Sequence, residues 1–326
     1  MITLEDLSTG YGSRCVASHL NASLTPGRLT CLLGANGVGK STLLRTLCGF
    51  LPPMGGSIRI NGTDIRQLSR KEMSRTIGVV LTERPDVPDM NVEEMTAMGR
   101  TPYTGFWGSL QGKDREAVKE AMQMVGITHL RERKVHTLSD GERQKVMIAK
   151  ALAQTTPIII LDEPTAFLDV ESRMETMLLL HRLAHEHNKA ILLSSHDLSQ
   201  AVMLADELWI VTHDRQVLSG NTEDLALTGA MDSIFASQNI SFNLSQGDFC
   251  INIDCPHSVN LKSDDAVLTR WIANALARNG YRINSDSQCD ITITATSPRN
   301  FSVEKANRLI TATSINDLIA ALATLS

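Results

Sequence analysis

A glycine-rich segment at residues 34–42, Gly-Ala-Asn-Gly-Val-Gly-Lys-Ser-Thr, constrains the fold of this chain more than any other feature. It follows an apolar run at 29–33 and precedes a helical pattern at 42–47, which is the strand, loop, helix order of a phosphate-binding loop, or P-loop. The glycines allow consecutive backbone N–H groups to converge on one anion, and the helix N-terminus adds its dipole. The segment therefore predicts binding of a nucleoside triphosphate.

Every residue of this loop is a candidate for contacting the nucleotide. Lys40 can reach the β- and γ-phosphates as a point charge, and Ser41 offers a hydroxyl to Mg²⁺. The predicted binding residues are Gly34, Ala35, Asn36, Gly37, Val38, Gly39, Lys40, Ser41 and Thr42.

A second motif is the apolar run Ile158–Leu161, which has the length of a buried strand and ends in Asp162 and Glu163. Asp162 can hold Mg²⁺ through water, so Ser41 and Asp162 are the predicted metal residues. Glu163 lies one residue further, where it can polarise a water molecule against the γ-phosphate. Together with the P-loop, this pair predicts hydrolysis of the nucleotide.

A third motif, Leu-Ser-Asp-Gly-Glu-Arg-Gln at residues 138–144, opens a predicted helix and is called the signature segment below. Ser139 and Gly141 place a hydroxyl and backbone N–H groups at a helix N-terminus, which favours an anion. Ser139 and Glu142 also fit a capping box, which is the purely structural alternative.

Length and composition bound the remaining possibilities. The 326 residues suffice for two domains, and a hydrophobic share of 42% is ordinary for a chain that buries a core. The net charge of −5 gives no overall positive field to attract nucleic acid, although a local basic patch stays open. We expect neither an export signal nor a membrane span, and we expect the six cysteines, which include no Cys-x-x-Cys pair, to be reduced cytosolic thiols.

Strands alternate with helices after the P-loop, so we expect an α/β fold with a doubly wound parallel sheet and the ligand at its carboxyl edge. Strands are predicted at 2–7, 28–33, 57–60, 158–161, 190–194 and 207–212, and helices at 114–125, 139–154 and 171–187. A polar, linker-like stretch at 235–246 separates a predicted nucleotide-binding domain, residues 1–240, from a second domain, residues 248–326.

The second domain is predicted to be a small α+β domain with an accessory role that its sequence does not define. Strands are predicted at 249–253, 258–261, 281–284, 290–295 and 309–313, and helices at 264–278 and 314–325. Asp264 or Asp265 is the predicted cap of the first helix, Gly280 its stop, and Ser314 the cap of the second.

Taken together, the motifs resemble those of the ATP-binding subunits of ABC transporters, over roughly residues 1–235. The signature segment matches the family's LSGGQ-type motif, with Asp140 and Glu142 replacing the usual Gly and Gln. The resemblance implies a P-loop ABC ATPase domain with a parallel-sheet core, an antiparallel β part and a helical subdomain. It also implies ATP and Mg²⁺ as cofactors, and ATP hydrolysis coupled to transport.

Further residues take their expected roles from this resemblance. Tyr11 is similar to the aromatic residue that stacks on adenine, and Glu163 to the general base. His196 is similar to the switch histidine at the γ-phosphate, and Asp169 ends a segment, 166–169, similar to the D-loop that couples two subunits. One position departs from the family, because Thr82 and then Glu83 stand where a glutamine is usual.

The family works as a dimer in which ATP lies between the P-loop of one copy and the signature segment of the other. With one copy of each motif, this chain is expected to form a homodimer with two composite sites. The implied partners are polytopic membrane permease subunits, with a substrate-binding protein engaged only indirectly and no nucleic acid. The implied location is peripheral, at the cytoplasmic face of the inner membrane.

Within the family, the chain is most similar to importers of iron–siderophore complexes, haem and cobalamin. Residues 98–105, Asp114 and the signature segment carry this similarity, and Arg100 and Pro102 fall in the subdomain that faces the membrane subunits. Two alternatives stay open: an importer of another cargo such as zinc or manganese, and a soluble ABC protein acting on ribosomes or DNA. The last class usually has two ATPase domains and a basic surface, unlike this chain.

Two histidines, His181 and His185, stand four residues apart on a predicted helix, and His187 follows. This spacing can hold a metal ion, but the sequence pattern supplies no carboxylate or thiol to complete a site. A solvated helix end is therefore the favoured interpretation. Cys250, Cys255 and Cys289 likewise match no metal-ligand spacing.

Overall fold

The computed structural model describes residues 1–12, 14–82, 89–105, 108–235, 239–284, 289–306 and 308–325. The chain divides into two compact units, Met1–Cys250 and Ile251–Ser326. Two hydrophobic clusters fill the first unit and one fills the second.

The described part of the first unit contains eight α-helices, five short 3-10 helices and twelve strands, the last of which ends one residue past the unit. The strands are β1 (Ile2–Tyr11), β2 (Arg14–Leu24), β3 (Leu29–Gly34), β4 (Gly55–Ile60), β5 (Thr63–Asp64), β6 (Ile77–Val80), β7 (Ile158–Leu161), β8 (Ala190–Ser194), β9 (Glu207–Val211), β10 (Val217–Asn221), β11 (Ile240–Asn243) and β12 (Asp248–Ile251). The helices are α1 (Lys40–Leu47), α2 (Arg70–Thr76), α3 (Val92–Ala97), α4 (Gly112–Met124), α5 (Asp140–Ala153), α6 (Val170–Glu186), α7 (Leu198–Leu204) and α8 (Thr222–Leu227).

A six-stranded sheet in the order β10-β9-β3-β8-β7-β6 forms the centre of this unit. Strands β9, β3, β8, β7 and β6 run parallel, and β10 closes one edge antiparallel. Every residue of β3, β7 and β8 is buried, because the sheet is covered on both faces and neither face can be polar. Alternation sends Leu33 and Leu161 into one cluster and Leu32 and Ile160 into the other.

A second sheet, β2-β1-β4-β5, is antiparallel throughout and lies in the same unit. Strand β1 extends four residues past the predicted end at residue 7, and β2 was not predicted. The pairing of β1 with β2 shifts register three times, and Asp6 and His19 have positive φ angles of 48° and 56°. These bulges interrupt the two-residue alternation on which strand prediction depends.

Helices α3, α4 and α5 pack together as a helical part beside the sheets. Arg100, which falls in the subdomain expected to face the membrane subunits, is buried here, and its guanidinium donates to the Asp114 carboxylate at 2.9 Å. The same guanidinium donates to the carbonyl of Ala153 at 2.7 Å and lies 3.9 Å from the centre of the Tyr103 ring. Arg100 and Asp114 therefore join the segment before α4 to the end of α5.

The predicted linker contains ordered structure. Strands β11 and β12 pair as a two-stranded sheet within the stretch expected to be linker and the start of the next domain. The Phe249 ring meets the rings of Phe235 and Phe242 edge-on, with centroids 5.8 and 5.1 Å apart. Aromatic packing of this kind stabilises a segment whose other residues are mostly polar.

The second unit has a five-stranded sheet in the order β14-β13-β15-β16-β17. Its elements are β13 (His257–Lys262), α9 (Ala266–Arg278), β14 (Tyr281–Ile283), β15 (Ile291–Ser297), β16 (Asn300–Lys305), β17 (Arg308–Ala312) and α10 (Ile315–Leu325). Asp265 caps α9, the stop at Gly280 has a φ of 81°, and Ser314 accepts from the backbone N–H of Asp317. These caps are as predicted, whereas β16 was missed although Phe301 and Val303 alternate with more exposed residues.

Two global expectations can be compared with the structure. Within the described ranges, no helix combines the length and apolar character needed to cross a membrane. All six cysteines are described, and none of them forms a disulfide.

Replacing Gly99 with Ala is expected to lower the free energy of unfolding by about 1–3 kcal/mol. A Cβ atom at this buried position would lie 2.1 Å from the backbone carbonyl oxygen of Lys150 in α5, so the 3-10 turn Met98–Arg100 and the helix would have to separate. Chemical denaturation with a matched Gly105→Ala control, whose Cβ meets nothing within 4 Å, measures the difference. Equal stability of the two variants would contradict this packing.

Candidate functional site

The residues predicted to handle the nucleotide lie at the carboxyl ends of three neighbouring strands. Strand β3 leads into the P-loop, β7 ends before Asp162, and β8 ends at Ser194, and these strands are adjacent in the order β3-β8-β7. Parallel strands bring their carboxyl ends to one edge, which is where open α/β sheets bind ligands. The sheet topology therefore assembles the site from segments far apart in sequence.

The P-loop has the backbone conformation that its glycines permit. Gly34, Gly37 and Gly39 have φ angles of 152°, 75° and 112°, which side-chain-bearing residues rarely adopt. At Gly39 a Cβ would also lie 2.1 Å from Cγ1 of Val16, so this position needs glycine for space as well. Helix α1 begins directly afterwards, at Lys40.

Lys40 folds back over the loop. Its side chain is almost fully buried, and its ammonium donates to the carbonyl oxygens of Gly34 at 2.7 Å and Ala35 at 3.1 Å. Burial lowers the pKa of Lys40, while the carboxylates of Glu163 and Asp162 oppose that shift. The positive charge is thus held at the loop, facing two carboxylates.

Asp162, which follows β7, is hydrogen-bonded to the start of α1 and to the end of β8. Its Oδ1 atom accepts from the hydroxyl of Ser41 at 3.3 Å and from the hydroxyl of Ser194 at 2.7 Å. The Ser194 hydroxyl also accepts from the backbone N–H of Glu163 at 2.8 Å. Sequence reasoning missed Ser194, although its place at the end of an apolar strand, two residues before His196, was a usable signal.

Glu163 and His196 are brought together as a pair. Nε2 of His196 shares a short hydrogen bond with Oε1 of Glu163. Glu163 has a φ of 50°, an unusual conformation for a residue with a side chain. The turn after β7 is therefore strained at the residue predicted to act on water, and strain of this kind concentrates at functional sites.

These residues line a cleft of about 560 Å³, called the P-loop cleft below. Its lining is Tyr11, Arg14, Val16, Asn36, Gly37, Gly39, Lys40, Ser41, Thr42, Glu163, His196 and Arg215. Three predicted residues are not part of this lining: Gly34 and Ala35 accept from Lys40, and Val38 packs against the core.

Two arginines that line the cleft were not predicted from the sequence. Arg14 is the register partner of Tyr11 across the β1–β2 turn, and Arg215 donates to the carbonyl of Cys15 at 3.4 Å. Nothing in the sequence marks Arg215, because it reaches the cleft from the turn between β9 and β10, about 200 residues after Tyr11. Both cations suit a polyphosphate.

Thr82, at the position where the family usually has glutamine, is engaged with the main chain. Its hydroxyl donates to the carbonyl oxygen of Asp162 at 2.8 Å, which ties the end of β6 to the end of β7. Glu83, the other residue considered for this position, lies outside the described residues.

The signature segment adopts the capping box that was its structural alternative. The Ser139 hydroxyl accepts from the backbone N–H of Glu142 at 3.2 Å, and the Glu142 carboxylate accepts from the backbone N–H of Ser139 at 2.9 Å. Ser139 is exposed, and the described lining of the P-loop cleft includes neither Ser139 nor Gly141. Asp169 is also outside that lining, and its carboxylate caps α6 by accepting from the N–H of Ser172 at 2.7 Å.

Comparisons with known proteins agree with this geometry. Residues 17–166 match the family model described as "ABC transporter", and residues 256–323 match the model "Iron ABC transporter C-terminal domain".

Among similar proteins, an uncharacterised ABC transporter ATP-binding protein of Methanocaldococcus jannaschii is 37% identical over 249 residues, 76% of this chain and 86% of that protein. The ferric enterobactin transport ATP-binding protein FepC of Escherichia coli is 37% identical over 231 residues, 71% of this chain and 85% of that protein. A solved structure of the ATP-binding cassette MJ0796, dimeric and bound to ADP and Pi, is 26% identical with a TM-score of 0.58 and covers 68% of this chain and 99% of that one. The chain therefore belongs to the family of ATP-binding proteins of ABC transporters.

Proposed function

We propose that this chain hydrolyses ATP in the P-loop cleft, as one half of a homodimer, and thereby energises an importer for a metal chelate. The observation that carries the proposal is the convergence of Lys40, Ser41, Asp162 and Glu163 on one edge of the sheet. A cation, two oxygen donors and a candidate base at one glycine-rich loop match the needs of phosphoryl transfer to water.

The nucleotide is assigned to the cleft by its shape and charge. Glycine-rich backbone at the start of α1 suits the phosphates, and Lys40, Arg14 and Arg215 supply positive charge around them. Tyr11 is 46% exposed at the cleft and offers a ring face for adenine. In this arrangement the adenine of the nucleotide lies toward the β1–β2 turn and its γ-phosphate lies toward Glu163.

The donor set beside the P-loop fits Mg²⁺. Mg²⁺ prefers oxygen ligands and keeps several waters, and Ser41 and Asp162 present a hydroxyl and a carboxylate oxygen 3.3 Å apart. When bound, the ion neutralises charge on the phosphate oxygens. Ser194 holds the Asp162 carboxylate in place through its own hydroxyl.

Glu163 is the proposed general base. In the reaction, water oxygen forms a bond to the γ-phosphorus, the bond from that phosphorus to the ADP oxygen breaks, and a water proton passes to the Glu163 carboxylate. His196 holds that carboxylate through its hydrogen bond. We propose that it also contacts the γ-phosphate. Lys40 faces the developing negative charge.

A second copy of the chain completes the site. Ser139 and Gly141 lie at an exposed helix N-terminus, outside the described lining of the P-loop cleft of their own chain. We therefore propose that they bind the phosphates of the nucleotide held in the cleft of the second copy. The MJ0796 cassette is dimeric with ADP and Pi bound, which supports a dimer of this chain. Asp169, exposed beside this helix end, is proposed to lie at the contact between the two copies.

The cargo is inferred from the relatives and from the second unit. FepC is named for ferric enterobactin transport, and the model matched by residues 256–323 belongs to iron ABC transporters. We assign residues 1–240 to ATP hydrolysis and 248–326 to an accessory, regulatory or dimer-stabilising role. The partners are polytopic permease subunits at the cytoplasmic face of the membrane, with the substrate-binding protein contacted only through them.

The function is tested by isolating the tagged full chain from its native membranes in mild detergent, followed by reconstitution. We expect a permease to co-purify and ATP-dependent uptake of a ferric siderophore into proteoliposomes. Uptake of free zinc or manganese, but not of a ferric siderophore, would show that the transported cargo is the free ion and not a metal chelate. Recovery of ribosomes or DNA-repair proteins without a permease would refute the transport role but not the ATPase chemistry.

Replacing Glu163 with Gln is expected to lower the rate of ATP hydrolysis by about 10²–10⁴-fold, because the amide cannot accept the water proton. ATP should then convert the variant into a dimer on a sizing column. Glu171→Gln, an exposed position in the first turn of α6, is the matched control and should hydrolyse ATP normally. A Glu163→Gln variant that stays monomeric with ATP would contradict the homodimer.

Mixing two inactive variants tests whether the site is shared between copies. Lys40→Ala damages the P-loop and Ser139→Arg blocks the signature segment, so each variant alone should be inactive. An equal mixture should recover about a quarter of the normal activity, because about half of the dimers are mixed and each of these keeps one intact site. Full inactivity of the mixture, with both variants folded by circular dichroism, would place the whole site in one chain.

A further inference from the structure

The C-terminal end of α6 carries two histidines that the P-loop cleft does not use. His181 and His185 are one turn apart on the same face of the helix, and their ring centroids lie 4.2 Å apart with an interplanar angle of 30°. The sequence alone offered no third ligand for this pair.

The structure supplies that third group. Asp206 immediately precedes β9, and its Oδ2 atom lies 3.1 Å from Nε2 of His185. One ligand atom from each of His181, His185 and Asp206 falls within 4.8 Å of the others. Three donors at this mutual spacing can bind one ion without rearrangement of the backbone.

The chemistry of the three donors defines the ion. Two imidazoles and one carboxylate suit first-row transition metals, among which zinc accepts three protein ligands plus water. Mg²⁺ and Ca²⁺ are disfavoured because they prefer oxygen ligands throughout. His185 is 42% exposed and Asp206 20%, so solvent can reach the cluster and supply the remaining ligand.

The carboxylate is held by the main chain. Asp206 Oδ2 accepts from the backbone N–H of Leu29, the first residue of β3, at 2.7 Å. Hydrogen bonds of this kind orient a carboxylate ligand and are part of a metal site's design. A simple ion pair with His185 would also hold the Asp206 carboxylate, but it does not account for the His181 ring, whose centroid lies 4.2 Å from that of His185.

We propose that His181, His185 and Asp206 form a binding site for a divalent transition-metal ion of the zinc class. The bound ion would join the end of α6 to the residue that precedes β9. The hydrogen bond between Asp206 and Leu29 links the site in turn to the start of β3, the strand that leads into the P-loop. The three ligands are separate from every residue assigned above to ATP or Mg²⁺. The proposal of this metal site is therefore independent of the proposed transport function.

Zinc titration of the tag-free full chain, freed of metal by chelator and dialysis, tests the site. Calorimetry should show one Zn²⁺ bound per chain at this cluster, and thermal unfolding should shift upward with zinc. His181→Gln should weaken zinc binding by more than about tenfold, since loss of even an outer-shell partner costs roughly 10–100-fold. His187→Gln, an exposed histidine at the same helix end, is the matched control and should bind like the unaltered chain.

Asp206→Asn is a second test variant. Its amide oxygen can still accept the hydrogen bond from the backbone N–H of Leu29, but the negative charge of the metal ligand is lost. Circular dichroism confirms that both variants are folded. Cobalt absorption distinguishes histidine and carboxylate ligation from thiolate ligation. Zinc binding that is unchanged in His181→Gln, thiolate bands in the cobalt spectrum, or no zinc binding by the unaltered chain would each overturn the proposal.

Discussion

One carboxylate oxygen, Oδ1 of Asp162, holds the functional edge of this protein together. It accepts hydroxyl hydrogen bonds from Ser41 after the P-loop and from Ser194 at the end of β8, while Asp162 itself follows β7. The start of α1 and the ends of β7 and β8 are thus fixed to a single atom, and the N–H of Glu163 is fixed through the same Ser194 hydroxyl. Because charge-assisted hydrogen bonds are stronger than neutral ones, this centre positions both the metal-binding and the water-activating residues.

The parts of the site that depend on local chemistry were predictable from the sequence. The P-loop needs glycine where φ is positive, and Gly37 and Gly39 have that conformation. A fully apolar strand ending in two acidic residues placed Asp162 and Glu163 at the sheet edge, and the caps Asp265 and Ser314 lie where their side chains can accept backbone N–H groups. The central sheet, the antiparallel sheet and the small second unit follow the expected architecture.

The parts that depend on distant segments could not be predicted. Asp206 and His185 meet only in the folded chain, since they belong to separate elements 21 residues apart, and Arg215 reaches the cleft only through the turn after β9. The burial of Arg100 against Asp114 was equally invisible, since a charged residue in a loop pattern is typical of a surface. Strand β2 was missed because bulges break its alternation. The failures at Asp206, Arg215 and Arg100 have the same origin: tertiary contacts override the local pattern.

Reciprocal caps begin three helices of the first unit. Ser69 with Glu72, Asn91 with Glu94, and Ser139 with Glu142 each exchange hydrogen bonds at the start of α2, α3 and α5. The starting residue of each helix is therefore fixed by its own side chains and not by its neighbours. A first turn that is capped in this way resists fraying. When the packing around such a helix shifts, the helix therefore moves as one unit and its first turn does not unwind.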